Sequence, residues 1–437
     1  MLFCICGFLL NLVSFYPGFS SPDTIDQYNQ ALANNYTDWH PPVMAMLWHW
    51  LNYIYKGPQT MLILQLLLLW VSCYLLFIQL SNRKWYLCIA LFALAPFIQN
   101  FSGYIIKDSQ MALSLLLASV LMLRMGAGTS KPPIIETFFC GLLLVYGGIV
   151  RPNALPAAVP LCFLFGAVIF KGRGKYVAAS AGIAVLAIVV VCNMLQYRVV
   201  KDDDKQYPIA KLYMYDLAGI YKGTGKNVFP PFLFENPRFD TAYLRAKYIP
   251  ATIDDIWWNK DSVDIIPDCS DETMATLKSY WLNAIKTNPG MYSVNHIQGF
   301  LYYLRIKRRD VEFHYYFPFT NPELPGYDRG RNYSANILSK IIIVQRNMPY
   351  MQPWFWFFLN LSLLFFTPYV QKGLYRQFFL ALLLSGAFYQ LPSFFVYQTD
   401  TDFRYFYWNC ICCSLAVVIL ICSRPKDAMS HSHRPEY

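Results

Sequence analysis

Ten stretches of this 437-residue chain are long and apolar enough to cross a bilayer, and that leaves few alternatives to a membrane fold. They run over 1–16, 59–80, 85–106, 109–123, 134–150, 154–170, 176–195, 352–370, 377–395 and 405–422. Only 14% of residues are charged, against roughly a quarter in soluble domains, and 56% are hydrophobic. The expected class is an all-α polytopic membrane protein with about ten transmembrane helices. The run 1–16 has no basic leader and no small-residue cleavage site, so it reads as a short retained first span and not a signal peptide. Pro96 and the polar patch Gln99–Ser102 interrupt the third span.

The basic residues set an orientation. Arg83-Lys84, Arg124 with Lys131, the 171–175 run, Lys372 with Arg376 and the tail from Arg424 all fall on one side, which the positive-inside rule makes cytoplasmic. An even number of spans puts both termini there. The expected modules are 1–196, with seven spans and a first external loop at 17–58; 197–351, one large external mixed loop domain; and 352–437, with three spans and a cytoplasmic tail. The first loop, the Lys107-Asp108 turn, the Arg151 turn, the long segment and the turn before Tyr405 then share the opposite face. The net charge of +10 follows from this asymmetry and from attraction to anionic lipid headgroups, so no nucleic-acid partner is inferred.

The cysteines carry little chemistry. Eleven of the twelve lie in apolar runs and read as small hydrophobes, and Cys269 stands alone in the polar segment, so no disulfide framework is implied. The Cys410, Cys412, Cys413 cluster lacks His or acid partners for zinc. The long segment opens on the solvated run 201–205 and reads as helical over 272–286, stopping at Asn288-Pro289-Gly290. Turn residues gather around 219–230 and 318–332.

The polar stretch Ser21–Trp48, set between two apolar segments, is where chemistry is expected. Asp23 and Asp26 are three apart and share a helix face. They read either as functional acids or as part of a helix start in which Asp23 caps free N–H groups. Pro41-Pro42 breaks the chain after Asp38-Trp39-His40 and sets the start of a Trp-rich interfacial segment, Val43–Tyr55. His40 alone is more often a structural hydrogen bonder than a participant. Lys107-Asp108 reads either as a snorkelling ion pair or as a phosphate-binding cation beside an acid. Arg151-Pro152-Asn153 puts an arginine in a tight turn against the positive-inside rule, and its planar fork suits phosphate. The stretch Asp400-Thr401-Asp402-Phe403-Arg404-Tyr405 opens the last span. Acids and cations beside apolar clefts suit transfer from a lipid phosphate: a carboxylate base for the acceptor hydroxyl, and cations for the leaving phosphate.

Several of these pieces resemble one family. Tyr16-Pro17-Gly18 followed by Asp23-Thr24-Ile25-Asp26-Gln27, and then Asn35-Tyr36-Thr37-Asp38-Trp39-His40-Pro41-Pro42, is similar to the first external loop of GT-C glycosyltransferases. Lys107-Asp108, Arg151-Pro152-Asn153 and Arg404-Tyr405 follow in order, and Tyr215-Asp216-Leu217 and Trp281 with Asn288-Pro289-Gly290-Met291-Tyr292 add to the likeness. In size and in its single large loop the chain most resembles phage-type, serotype-converting O-antigen glucosyltransferases. The resemblance implies a GT-C-like fold in the bacterial inner membrane, with the active site facing the periplasm. It implies inverting transfer of a hexose, glucose in the narrower group, from undecaprenyl phosphate to a hydroxyl of a periplasmic glycan. Asp23 would be the first-loop acid and Asp108 the second, with Asp26 beside them. Lys107, Arg151, Asn153, Arg404, Tyr405, His40 and Trp39 would bind substrate. A divalent metal on Asp23 and Asp108 is left open, because the Asp23/Asp26 spacing departs from the usual first-loop acid pattern. A donor synthase and a donor flippase would be the partners. The rival readings are an O-antigen polymerase or ligase, for which the basic run Arg305, Lys307, Arg308, Arg309 would matter, and a lipid-linked oligosaccharide flippase. That basic run otherwise reads as a solvated helix face.

Overall fold

The computed structural model describes residues 1–80, 83–128, 131–237, 239–258, 270–309, 332–395 and 401–422, without the side chains of 83–85 and 422. Cys269, Asp400, the tail from Arg424 and most of the 318–332 turn region lie outside the described residues. Among the described residues the regular elements are all helices. The N-terminal half runs α1 (Leu2–Phe15), α2 (Pro22–Ala33), α3 (Val43–Leu51), α4 (Gln59–Gln79), α5 (Arg83–Leu94), α6 (Pro96–Ser102), α7 (Lys107–Ala127), α8 (Ile134–Ile149), α9 (Ala154–Ile169) and α10 (Lys175–Leu195). The polar segment adds α11 (Ile209–Thr224), α12 (Thr241–Lys247), α13 (Asp254–Trp257), α14 (Asp271–Thr287), α15 (Pro289–Tyr303) and α16 (Tyr333–Gln345). The chain closes with α17 (Pro353–Leu364), α18 (Leu374–Gln390) and α19 (Tyr407–Cys422).

Five helical stretches among the described residues are long and apolar enough to cross a membrane: α4, α7, α10, α18 and the Phe403–Ile421 stretch that includes α19. Helices α1, α8, α9 and α17 are apolar but shorter. This is the composition of an all-α membrane protein, since only helices and closed barrels satisfy their backbone in lipid. The expected third span is two helices, α5 and α6. The break falls at Ala95, because the residue before a proline is pushed out of the helical region. The polar patch is buried, not exposed: Trp70 Nε1 donates to Asn11 Oδ1 at 2.9 Å, Asn11 Nδ2 to Gln99 Oε1 at 2.6 Å, and Gln99 Nε2 to the Ala93 carbonyl at 2.7 Å. These bonds tie α6 to α1 and α4. Helix α7 is the central element, buried on nearly every face and packed on α4, α8, α9, α18 and α19. Helix α10 is its opposite. Ile183, Ile188 and Val191 stay exposed, as on a lipid-facing helix.

The 197–351 segment divides. Helices α11 to α14 build a second core around Met214, Leu217, Ile220, Leu244 and Leu277. The end of α15 and helix α16 instead join the main core through Tyr303, Leu304 and Ile342, and Ser14 Oγ bonds Ser334 Oγ at 2.8 Å. Helix α14 stops at Thr287 as the sequence predicts, but Pro289 then starts α15 in the first-turn position that proline favours. In the Trp-rich segment, Trp48 is buried and its Nε1 bonds the Gly57 carbonyl at 3.1 Å, while Trp50 stays 68% exposed.

One seam positions the site. Phe19 N donates to the Gly103 carbonyl at 2.9 Å and Ile105 N to the Phe19 carbonyl at 3.0 Å. Thr24 Oγ1 donates to the Ile105 carbonyl at 2.8 Å. Gly18 has φ +119°, and a Cβ there would lie 2.5 Å from Ile105 Cδ1, so only glycine lets the two segments close. The seam stitches the start of α2 to the start of α7.

Candidate active site

Helix α2 is started by Ser21, not by Asp23. Ser21 Oγ accepts from Thr24 N at 3.3 Å and Thr24 Oγ1 accepts from Ser21 N at 3.0 Å, a reciprocal cap with Pro22 in the first turn. The expectation that Asp23 caps the helix is therefore corrected. With the end groups satisfied by Ser21 and Thr24, the Asp23 carboxylate is left to face the chain brought in by the seam.

It faces cations. Arg404 Nη1 lies 3.3 Å and Lys107 Nζ 3.9 Å from Asp23 Oδ2. Burial by itself raises the Asp23 carboxyl, but the Lys107 and Arg404 charges, with Arg151 behind them, outweigh it and hold the group well below the usual carboxylate range. Asp26 goes the other way. Burial raises it and the nearby Asp23 charge adds to that, against a 2.7 Å hydrogen bond from Gln30 Nε2. The side chains of Asp23 and Asp26 keep 28% and 43% exposure, while Lys107 and Arg404 are reduced to 14% and 12%. The acids are the reachable part of the cluster and the cations lie behind them.

His40 joins the two groups. Its Nδ1 meets Lys107 Nζ at 2.5 Å, and its Nε2 stands 3.8 Å from Asp23 Oδ1 and 3.9 Å from Asp26 Oδ2. An ammonium can only donate, so Nδ1 is the acceptor and the ring proton sits on Nε2, pointing between the two carboxylates. Burial first, and then the Lys107 charge, lowers the His40 pKa to about 3, so the ring is neutral at physiological pH.

The remaining expected residues separate. Asp108 and Arg151 form a buried ion pair, with 1% and 6% of the residues exposed. The Arg151 guanidinium also lies 4.6 Å from the Tyr405 ring centroid and Arg404 5.2 Å from the same ring. Asp108, Arg151 and Tyr405 thus brace Arg404 from behind. Asn153 begins α9 with its Oδ1 buried and unbonded. Trp39 turns away from its neighbour His40 and packs edge-to-face on Trp258 at 5.4 Å. Asp38 holds a distant backbone: its carboxylate accepts Gln206 N at 2.5 Å and Tyr207 N at 3.2 Å, fixing the entry to α11.

Arg305 overturns the reading of 305–309 as a solvated face. It is 2% exposed, has φ +56°, and donates Nε and Nη2 to the Thr401 carbonyl at 3.3 Å each. It thereby holds the segment in which Asp402 Oδ2 pairs with the Arg404 guanidinium, 3.0 Å from its Nε. Nothing in a run of four basic residues singles out the buried one. Arg309 is not a solvated cation either: its side chain is 10% exposed and pairs with Asp255 at 3.2 Å.

A second acid–histidine pair was not foreseen. Asp216 Oδ1 lies 2.7 Å from His296 Nε2, Asp216 Oδ2 accepts Trp281 Nε1 at 2.8 Å, and His296 Nδ1 meets the Phe394 carbonyl at 2.8 Å. Tyr292 lies 4.3 Å from the His296 ring. Two of the quoted motifs, around Asp216 and from Trp281 to Tyr292, therefore meet at one buried point.

Among the described residues no group of three or more His, Cys, Asp and Glu side chains is arranged to hold a metal ion. The chain is thus an all-α membrane protein with a half-open acid–cation cluster at the start of one apolar helix. No protein-family model, curated protein or solved structure matches the chain.

Proposed function

We propose that this chain is an integral membrane glycosyltransferase that moves a hexose from undecaprenyl phosphate to a hydroxyl of a periplasmic glycan, with inversion. The supporting observation is a partly exposed carboxylate, Asp23, facing two recessed cations, Lys107 and Arg404, with neutral His40 between. In the resting cluster Asp23 is a weak base because both cations lower its proton affinity. A donor phosphate entering the cluster competes for Lys107 and Arg404. Asp23 then loses its counter-charges and gains basicity as the reaction requires it. It takes the acceptor hydroxyl proton, the hydroxyl oxygen bonds to the anomeric carbon, and the bond from that carbon to the phosphate oxygen breaks. The leaving lipid phosphate keeps the electron pair and is neutralised by Lys107 and Arg404. His40 accepts from Lys107 through Nδ1 and so fixes the ammonium that faces Asp23. The ten-span topology with both termini cytoplasmic and this site outside belongs to the same proposal.

The arginine-based polymerase or ligase reading is weakened by Arg305, which is buried against the Thr401 carbonyl and cannot meet a glycan. The deciding experiment is structural analysis of surface glycan from cells with and without the protein. One added hexose per repeat supports transfer, whereas altered chain length with unchanged repeats overturns it in favour of polymerisation.

A further inference from the structure

Trp39 and His40 are neighbours that face different modules. His40 reaches Asp23, and Trp39 reaches the polar domain, where it meets Trp258 at 5.4 Å with the rings 69° apart. Trp258 is 50% exposed. Beneath both rings lies Lys211 of α11, its Nζ 6.0 Å from the Trp39 centroid and 5.5 Å from the Trp258 centroid. Lys211 is 5% exposed and paired with Asp254, whose side chain keeps 27% exposure. The two indoles thus pack on each other over a buried Lys211–Asp254 pair, and Trp258 and Asp254 are the parts of this patch that reach solvent.

This patch is connected to the Asp23 cluster. Asp402 is near enough to Asp254 to raise its carboxyl, after the larger effect of burial and against Lys211. Asp402 holds Arg404 at 3.0 Å, and Arg404 holds Asp23 at 3.3 Å. A route of alternating charge runs from Lys211 to Asp23, and the Trp39–His40 peptide spans the same gap.

The charges restrict the occupant. An anionic headgroup would meet Asp254 and Asp402, and a cation would meet Lys211. A neutral polyhydroxylated ring suits both: its hydroxyls can donate to the exposed side of Asp254, while the exposed Trp258 indole covers the apolar C–H side of the ring and buried Lys211 holds both in place. We propose that Trp39, Trp258, Lys211 and Asp254 form a pyranose-binding subsite. Naming its occupant as the acceptor glycan rests on the transferase reading above. The binding itself does not.

The test uses the full chain, purified in lipid nanodiscs, titrated calorimetrically with O-polysaccharide released from lipopolysaccharide by mild acid, without donor. Wild type binds, and Trp258→Ala and Asp254→Asn each weaken binding about tenfold, with Trp258→Phe recovering most of it. The thermal midpoint of each variant separates a lost subsite from a lost fold, and Asp254→Asn serves if Trp258→Ala does not fold. In transfer assays the same variants raise the acceptor KM and leave the donor KM alone. Polysaccharide bound equally by wild type and both variants, or not bound by wild type, overturns the subsite. If wild type binds polysaccharide through these residues but transfers nothing from undecaprenyl-phosphate hexose, the subsite stands and the transferase reading falls. If transfer proceeds with unchanged acceptor KM in both variants, the reverse holds.

Discussion

The molecule contains two aspartate–histidine pairings, and they differ in almost every physical respect. Asp216 and His296 are both buried and meet at 2.7 Å, and each has its remaining polar atoms bonded, to Trp281 and to the Phe394 carbonyl. Asp23 and His40 stand 3.8 Å apart, with Asp23 28% exposed and facing the cations Lys107 and Arg404. The first pairing satisfies every group and joins the polar domain to the end of α18. It is a clamp. The second leaves capacity for a ligand: long contacts, a reachable acid and recessed positive charge. A short, complete hydrogen-bond set indicates architecture, whereas a looser set with charge held in reserve indicates a place for something else to bind.

Four substitutions test that contrast. Asp23→Asn keeps the shape and removes the base. Transfer should fall about 10³-fold or more, with membrane insertion and thermal midpoint intact, as measured with purified enzyme and lipid-linked hexose. Full activity in this variant would remove Asp23 from the site. His296→Ala should act on stability alone. Leaving Asp216 buried without its partner costs about 3 kcal/mol, seen as a lower unfolding midpoint, while turnover per folded molecule holds. A selective loss of turnover there would reverse the assignment of the two pairings. Lys107→Ala should lower turnover about 10²-fold, because one of two cations on the leaving phosphate is gone, and should relieve the downward pull on Asp23. Donor binding by calorimetry should weaken in parallel.

The smallest effect lies in the pH response. His40 is neutral in the fold down to about pH 3, whereas in the unfolded chain it titrates near about 6.5. Between those values the unfolded state holds more protons, so stability is full above about 6.5 and declines as pH falls, by roughly 1 kcal/mol per pH unit. His40→Gln should flatten that decline in acid-denaturation series. An identical slope in the variant would mean that His40 is charged in the fold. Because the ring stays neutral, the transfer profile should also lack an acid-side inflection near the ordinary histidine value.

Much of the architecture was legible because hydropathy is a local property. The apolar runs became helices close to their expected bounds, and even the fault at Pro96 broke α5 from α6. The polar patch after it was read as an interruption, but it is a buried hydrogen-bonded joint, since its partners Asn11 and Trp70 lie far away in the chain. The same limit governed the site. From the sequence Asp23 is open between a functional acid and a helix cap, and Asp38 reads as a capping residue ahead of the Trp39-His40-Pro41-Pro42 break. Asp38 proved to hold the distant entry to α11 and Asp23 proved not to cap α2 at all, because Ser21 with Thr24 had already satisfied that helix start. Arg305 could not be distinguished from Arg308 by type or spacing. The backbone at Arg305 turns it inward and leaves Arg308 exposed.

By itself the sequence determined the class of the protein and the stretch in which to look. Span-length hydrophobicity and a cluster of acids, aromatics and prolines are sums over neighbouring residues. Only the tertiary structure decided which acid meets which cation. The Phe19–Ile105 seam brings Asp23 to Lys107, the Arg305–Thr401 bond sets Arg404, and Trp39 and His40 part toward different modules. Ion pairing and burial depend on distances between segments remote in the chain, and those distances exist only once the helices have packed.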